Sequence, residues 1–192
     1  MTGQIFLIRH GETKWSVSGK HTGSTDVPLT PKGKEAARAL VNVVPKNPDL
    51  VLCSPLLRAQ HTAALAGLVV TRIEPNLIEW DYGNYEGRTT AEIRAELKDP
   101  SWLIWDYPIP NGEQLTDVAL RVDRVIAELI PIVQSGGTVA LVAHGHVLRI
   151  LTARWLGLSP INGRLFALSP ATVSTLGFEH EQRVITMWNA PA

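Results

Sequence analysis

Four side chains in three separated stretches carry chemistry that suits one task. Arg9 and His10 precede Gly11, Arg58 lies four residues after Ser54, and His144 heads the triplet His144-Gly145-His146. Guanidinium groups match phosphate oxygens bidentately, and a helix beginning after His144-Gly145 would add backbone N–H donors. An imidazole among positive charges is disfavoured as a cation and keeps a ring nitrogen free, which makes His10 a candidate nucleophile. His144, Arg9 and Arg58 would then hold the oxygens of a transferring phosphoryl group as charge redistributes. A departing alkoxide also needs a proton. The acidic stretch Glu79-Trp80-Asp81-Tyr82-Gly83-Asn84-Tyr85-Glu86-Gly87 offers three carboxyl donors, Glu79, Asp81 and Glu86.

These residues can cooperate only if the fold brings them together. The apolar runs Ile5 to Ile8, Leu50 to Leu52 and Val139 to Val142 have the length and β-branched content of buried strands. Each is followed by one of the reactive stretches. Helix signatures lie between them: Thr30-Pro31 as cap and first position before Glu35 to Val44, and Ser54-Pro55 before Leu56 to Leu65. Thr89 with Glu92 reads as a capping box, and Leu115 to Val133 as a one-faced amphipathic helix limited by Pro131. Val173 to Phe178 and Val184 to Trp188 suggest a hairpin at a sheet edge. Alternating strands and helices imply right-handed crossovers, hence a three-layer α/β/α sandwich with a mostly parallel central sheet and an antiparallel edge hairpin. Ligands in such sheets bind beyond the carboxyl ends of the strands, where the three stretches would converge.

The 192 residues fit one domain over 1–192, with neither repeat nor linker. Cys53 is the single cysteine, so it pairs with no other in the chain and no zinc site of usual spacing is available. The amino end, Met1-Thr2-Gly3-Gln4, has no basic leader segment, and no stretch has the roughly 20 apolar residues of a spanning helix. These features lead us to expect a cytoplasmic protein without membrane association. Eighteen basic and 18 acidic residues argue against a general nucleic-acid surface. The expected partner is a small phosphorylated metabolite, no cofactor or metal is called for, and a homodimer is compatible with these features.

Arg9-His10-Gly11-Glu12-Thr13 resembles the signature of the histidine phosphatase superfamily, the phosphoglycerate mutase-like proteins. The likeness continues through Thr22-Gly23, Asp26 to Thr30 and Gly33, then Ser54 to Thr62, Glu79 to Gly87 and His144-Gly145, in order along nearly the whole chain. It implies that His10 is phosphorylated, that Arg9, Arg58 and His144 bind the phosphoryl group, that Glu79 is the acid and base, and that no metal is required. It also implies that Thr22 and Gly23 stand beside the substrate, and Ser16, Tyr82, Gly145 and His146 join them as candidate substrate-binding residues. Trp15-Ser16, Glu79 to Gly87 and Ala143 to Arg149 most resemble the branch containing sedoheptulose-bisphosphatase-like enzymes. Two departures from the wider pattern, His146 in place of a small residue and Ser16 in place of an asparagine, fit that branch. Trp102 to Gly112 is short and holds no arginine, unlike the mutases' longer insertion, which favours hydrolysis of sugar phosphates or bisphosphates over a phosphoglycerate mutase. A non-catalytic phospholigand-binding module on the same fold is the rival from a different class.

Other residues have plainer readings. His146 either lines the pocket or caps the following helix. His21, His61 and His180 read as structural, and Trp15, Trp80, Trp102 and Trp105 as packing residues near a rim, with the wall of a sugar-binding pocket as the alternative. Cys53 reads as a small buried residue.

Overall fold

The computed structural model describes residues 3–192; Met1 and Thr2, part of the amino end considered above, lie outside the described residues. Six strands form one sheet: β1 (Gln4–Arg9), β2 (Leu50–Cys53), β3 (Arg72–Ile73), β4 (Thr138–Ala143), β5 (Thr172–Glu179) and β6 (Gln182–Pro191), in the order β3-β2-β4-β1-β5-β6. β1 and β2 flank β4 in parallel and β3 runs parallel to β2, whereas β5 is antiparallel to both β1 and β6. The expected mixed sheet with an edge hairpin is therefore present. Its turn, at His180, takes a left-handed φ of 52°.

Strand periodicity divides the core. Ile5 and Leu7 pack with Leu52, Val139 and Leu141 on one face, beneath α5 (Leu115–Gln134) and α6 (Gly145–Trp155). Ile8, Val51, Cys53, Ala140 and Val142 face the other way, onto α2 (Pro31–Ala39) and α3 (Leu57–Leu65). Two buried layers on opposite faces make the three-layer sandwich. Two shorter helices, α1 (Lys14–Ser18) and α4 (Thr90–Leu97), flank the carboxyl ends of the strands, and α4 starts at the expected Thr89–Glu92 capping box.

Several local expectations need correction. The second helix begins at Pro31 and ends at Ala39, with a single tight turn over Leu40–Asn42, instead of continuing to Val44. The β-branched Val41, Val43 and Val44 ahead of Pro45 are poor helix formers. Ser54 does not cap α3: Leu56 holds that position without a side-chain bond, while the Ser54 hydroxyl accepts from His144 Nε2–H at 2.6 Å and from Leu56 N–H at 3.4 Å. α5 runs past Pro131 to Gln134. The two-residue β3 and the short α1 were not expected.

β2, β4 and β1 are neighbours, so their carboxyl ends lie side by side. The ladder continues one residue past two of them, His10 N–H donating to Ala143 O at 2.9 Å and Ser54 N–H to Val142 O at 2.9 Å. His10, Ser54 and His144 thus leave the sheet together.

Candidate active site

His10 is buried at the end of β1, and its Nδ1 lies 2.7 Å from the Gly11 carbonyl oxygen. A carbonyl only accepts, so Nδ1 carries the proton and Nε2 keeps a lone pair. Burial, reinforced by the charges of Arg9 and Arg58, holds the imidazole well below its usual pKa. The His144 ring stands 5.1 Å away, centroid to centroid. Its Nδ1 accepts from Arg58 Nε at 3.1 Å, so its Nε2–H donates to Ser54 Oγ at 2.6 Å. Burial and then the nearby Arg58 also keep His144 neutral.

Arg58, the second residue of α3, is sealed from solvent. Its Nη1 donates to Thr25 O at 2.8 Å and its Nη2 to Thr22 O at 3.1 Å and Gly23 O at 2.9 Å. Together with the bond to His144, four of the five N–H donors of the guanidinium are committed, leaving one on Nη1. Arg9 differs. One Nη1–H bonds Leu168 O, and the buried Nε has no partner. A Cβ at position 145 would stand 3.3 Å from Arg9 Cζ, so Gly145 lets this guanidinium lie close against the start of α6.

The three carboxyl candidates separate cleanly. Glu79 accepts from the N–H groups of Trp80 at 3.0 Å, His146 at 3.0 Å and Val147 at 2.9 Å. The last two are orphan donors in the first turn of α6, so Glu79 supplies the cap that His144, at the N-cap position, does not. Asp81 is exposed and accepts from Gly83 N–H at 2.9 Å. Glu86 accepts from Gly23 N–H at 2.8 Å and Thr25 N–H at 3.2 Å, fixing the loop whose carbonyls hold Arg58. Only Glu79 of the three lines the cavity over His10.

That cavity has a volume of about 270 Å³, and Arg9, His10, Ser16, Thr22, Glu79, Tyr82, Gly145 and His146 line it. Of the expected site residues, Arg58, His144 and Gly23 lie outside the cavity wall: the first two are fully buried, and Gly23 is turned toward Glu86. Ser16 Oγ is committed to Thr13, accepting from its N–H and donating to its carbonyl, both at 2.9 Å. His146 does not cap α6. Its ring faces the cavity, with Nδ1 against the Tyr82 hydroxyl.

The cavity is also lined by Lys20 and Arg149, which sequence reasoning overlooked, by His21, which read as structural, and by Trp105, for which a pocket wall was the alternative to packing. His21, read as structural, packs 5.0 Å from the Tyr82 ring, and burial lowers its pKa to about 4. It adjoins Thr22-Gly23, a signal that was available. Arg149 lies four residues after Gly145 on the same face of α6, and helical spacing could have found it. Its guanidinium sits 4.8 Å from the centre of the Trp105 ring. Trp80 and Trp102 are core residues, His61 is exposed, and Cys53 is buried with its thiol pushed up to about 12.

Among the described residues, no group of three or more His, Cys, Asp or Glu is placed to hold a metal ion, and no helix is long and apolar enough to cross a membrane. The cavity wall brings together His10, with its bare Nε2, Arg9, whose buried Nε–H has no partner, and the fixed carboxyl group of Glu79, a set of groups suited to phosphoryl transfer.

Comparison with known proteins agrees. The chain is 40% identical over 187 residues to an acid phosphatase of Mycobacterium tuberculosis, covering 96% of this chain and 91% of that protein. It is 35% identical over 187 residues to sedoheptulose 1,7-bisphosphatase of Saccharomyces cerevisiae, covering 82% and 69% respectively. A solved structure of an open reading frame from Mycobacterium tuberculosis superposes with a TM-score of 0.93 at 38% identity, covering 100% of this chain and 99% of that one. The family model for the histidine phosphatase superfamily (branch 1) matches residues 5–191, and with the geometry above it follows that the chain belongs to that superfamily and is a phosphatase.

Proposed function

We infer that the chain hydrolyses phosphomonoesters of small, hydroxyl-rich metabolites, sugar phosphates or sugar bisphosphates, through a phosphohistidine formed at His10 Nε2. The observation that carries this reading is the His10 tautomer. Its proton is held on Nδ1 by the Gly11 carbonyl, and the opposite nitrogen is unprotonated beside two arginines. In the first step the Nε2 lone pair attacks phosphorus, the ester P–O bond breaks, and the leaving oxygen takes a proton from the Glu79 carboxyl group. In the second, the Glu79 carboxylate takes a proton from water as that water attacks phosphorus. The P–N bond breaks, and orthophosphate leaves with His10 restored.

The unpaired Nε–H of Arg9 and the free Nη1–H of Arg58 are the donors for the phosphoryl oxygens. His144 would add its Nε2–H by exchanging its bond to Ser54 Oγ for one to a phosphoryl oxygen. Arg58 also keeps His144 oriented, and Glu86 holds the loop that holds Arg58. The sugar reading draws on the yeast relative's substrate and on the polar wall formed by Thr22, Tyr82, His146 and Lys20.

The test is chemical trapping. A rapid acid-free quench of wild-type protein with labelled substrate should leave acid-labile, base-stable label on the protein. His10→Ala should take no label, and its turnover should fall roughly a thousandfold or more. Since His10 faces a cavity, its loss should leave the fold intact. A His10→Ala protein that retains most activity would overturn the mechanism.

A further inference from the structure

His146 makes a contact that determines where its proton lies. Its Nδ1 faces the hydroxyl of Tyr82, a residue with almost no solvent exposure whose hydroxyl has no other partner. A phenol keeps its proton at neutral pH, and burial, with Glu79 and Glu86 nearby, strengthens that hold. If His146 donated from Nδ1, the phenolic proton would be buried without an acceptor, which is the costlier arrangement. Tyr82 therefore donates, His146 accepts at Nδ1, and its own proton sits on Nε2. The ring packs edge-on against Trp105, at 4.9 Å and 68°, and Trp80, at 5.9 Å and 87°. Its Nε2 has no protein partner, yet it is not among the buried unpaired atoms. On a residue that lines the cavity, that N–H is open to a ligand.

We propose that His146, fixed as its Nε2–H tautomer by Tyr82, is the specificity-determining donor for an oxygen on the carbon chain of the substrate, selecting polyol and sugar phosphates over phosphate esters whose leaving group has no such oxygen. Tyr82 is a positioning residue that acts through His146. This rests on the phosphatase reading above and adds to it which atom reads the leaving group. A site built around a hydrogen-bond donor rejects ligands that lack its acceptor, since the donor is then stripped of water without compensation.

Two measurements test it. In 15N-histidine-labelled wild type at neutral pH, the correlation pattern of His146, assigned by its absence from His146→Leu, should show a protonated Nε2 and an unprotonated Nδ1. Tyr82→Phe should weaken that preference. In kinetics, the ratio of kcat/KM for fructose 1,6-bisphosphate to that for p-nitrophenyl phosphate should fall about tenfold in His146→Leu, the effect of one lost hydrogen bond. It should return to within about threefold of wild type in His146→Gln, which restores an N–H donor. A wild-type His146 protonated on Nδ1, or a His146→Leu variant that slows both substrates equally, overturns the proposal while the phosphatase reading stands. A wild type that releases phosphate from neither substrate overturns both.

Discussion

Glu79 has two duties that a single substitution can separate. Its carboxyl group holds the first turn of α6 through His146 and Val147 N–H, and it faces the cavity beside His10. Glu79→Gln keeps one acceptor oxygen but turns an NH2 toward a backbone donor, so we expect a stability loss of about 1 kcal/mol, the scale of a damaged helix cap. The kinetic effect should be larger and selective. A sugar alkoxide needs a proton as it leaves, so that substrate should slow roughly 100-fold or more. p-Nitrophenolate leaves without one, and pre-steady-state mixing should show a burst of nitrophenol followed by slow hydrolysis of phosphohistidine. Asp81→Asn should do neither, as Asp81 is exposed and its carboxylate bonds only its own turn. Equal slowing of both substrates by Glu79→Gln without a burst would move proton transfer elsewhere. Glu79 could be named from the sequence only through family resemblance, because Asp81 and Glu86 are equally acidic neighbours. What separates them is which side of the 79–87 stretch faces inward, and that depends on Gly23 and α6, far away in sequence. Lys20 escaped notice for a similar reason, since a lone basic residue carries no local signal until the cavity places it, whereas Arg149 was within reach of helical spacing from Gly145.

The elements explain why His10 is held so firmly. The first turn of α2 presses on the segment that follows it: Thr30 N–H donates to Glu12 O at 2.9 Å, and Thr30 Oγ1 donates to Glu12 Oε1 at 2.7 Å. A Cβ on Gly33 would fall 2.2 Å from Glu12 O, and one on Gly11 would fall 2.5 Å from Gly33 O. Two backbones meet here with no room for a side chain. Gly33→Ala should cost about 1–3 kcal/mol, or roughly 2–10 °C in Tm for a chain of this size. Because the displaced backbone carries Gly11, the carbonyl that sets the His10 tautomer, kcat should fall with it. The exposed neighbour Lys34→Ala should change Tm little, and a Gly33→Ala protein as stable and active as wild type would show that the contact is soft. At this scale the sequence was most legible where one signal sufficed. β1, β2 and β4 are buried apolar runs, and Thr30 and Thr89 cap as their types suggest. It was least legible where tertiary contacts decide a residue's role, as at Ser54, whose hydroxyl serves His144 while Leu56 takes the cap position of α3. β3 has two exposed residues and no apolar pattern to announce it.

Taken as a whole, the molecule gathers four of its six histidines, His10, His21, His144 and His146, around one cavity, and burial keeps all four below their usual pKa. The formal net charge of +0 gives no hint of the consequence. In the unfolded chain each imidazole takes up a proton as pH falls through about 6.5, while the folded protein does not until a lower pH. The unfolded state therefore binds more protons in that window, and stability declines as pH falls. It is fully present above about 6.5, and each histidine removes about 1.4 kcal/mol per pH unit below that until its folded pKa is reached. For His21, whose folded pKa is about 4, the total is about 3 kcal/mol. Thermal melts should accordingly show a Tm that is level from pH 8 to 7 and falls steeply from pH 6.5 to 5. Orthophosphate bound over His10 should change this slope as well as raise Tm. An anion beside His10 and His144 favours their charged forms, which lifts their folded pKa toward the unfolded value and removes their share of the acid loss. His21 and His146, farther along the cavity, should retain theirs. Melts at constant ionic strength, with and without phosphate, check both points. A Tm that stays level from pH 8 to 5 without phosphate would mean that these histidines are not held neutral by the fold, whereas an equal slope with and without phosphate would place the bound anion away from His10.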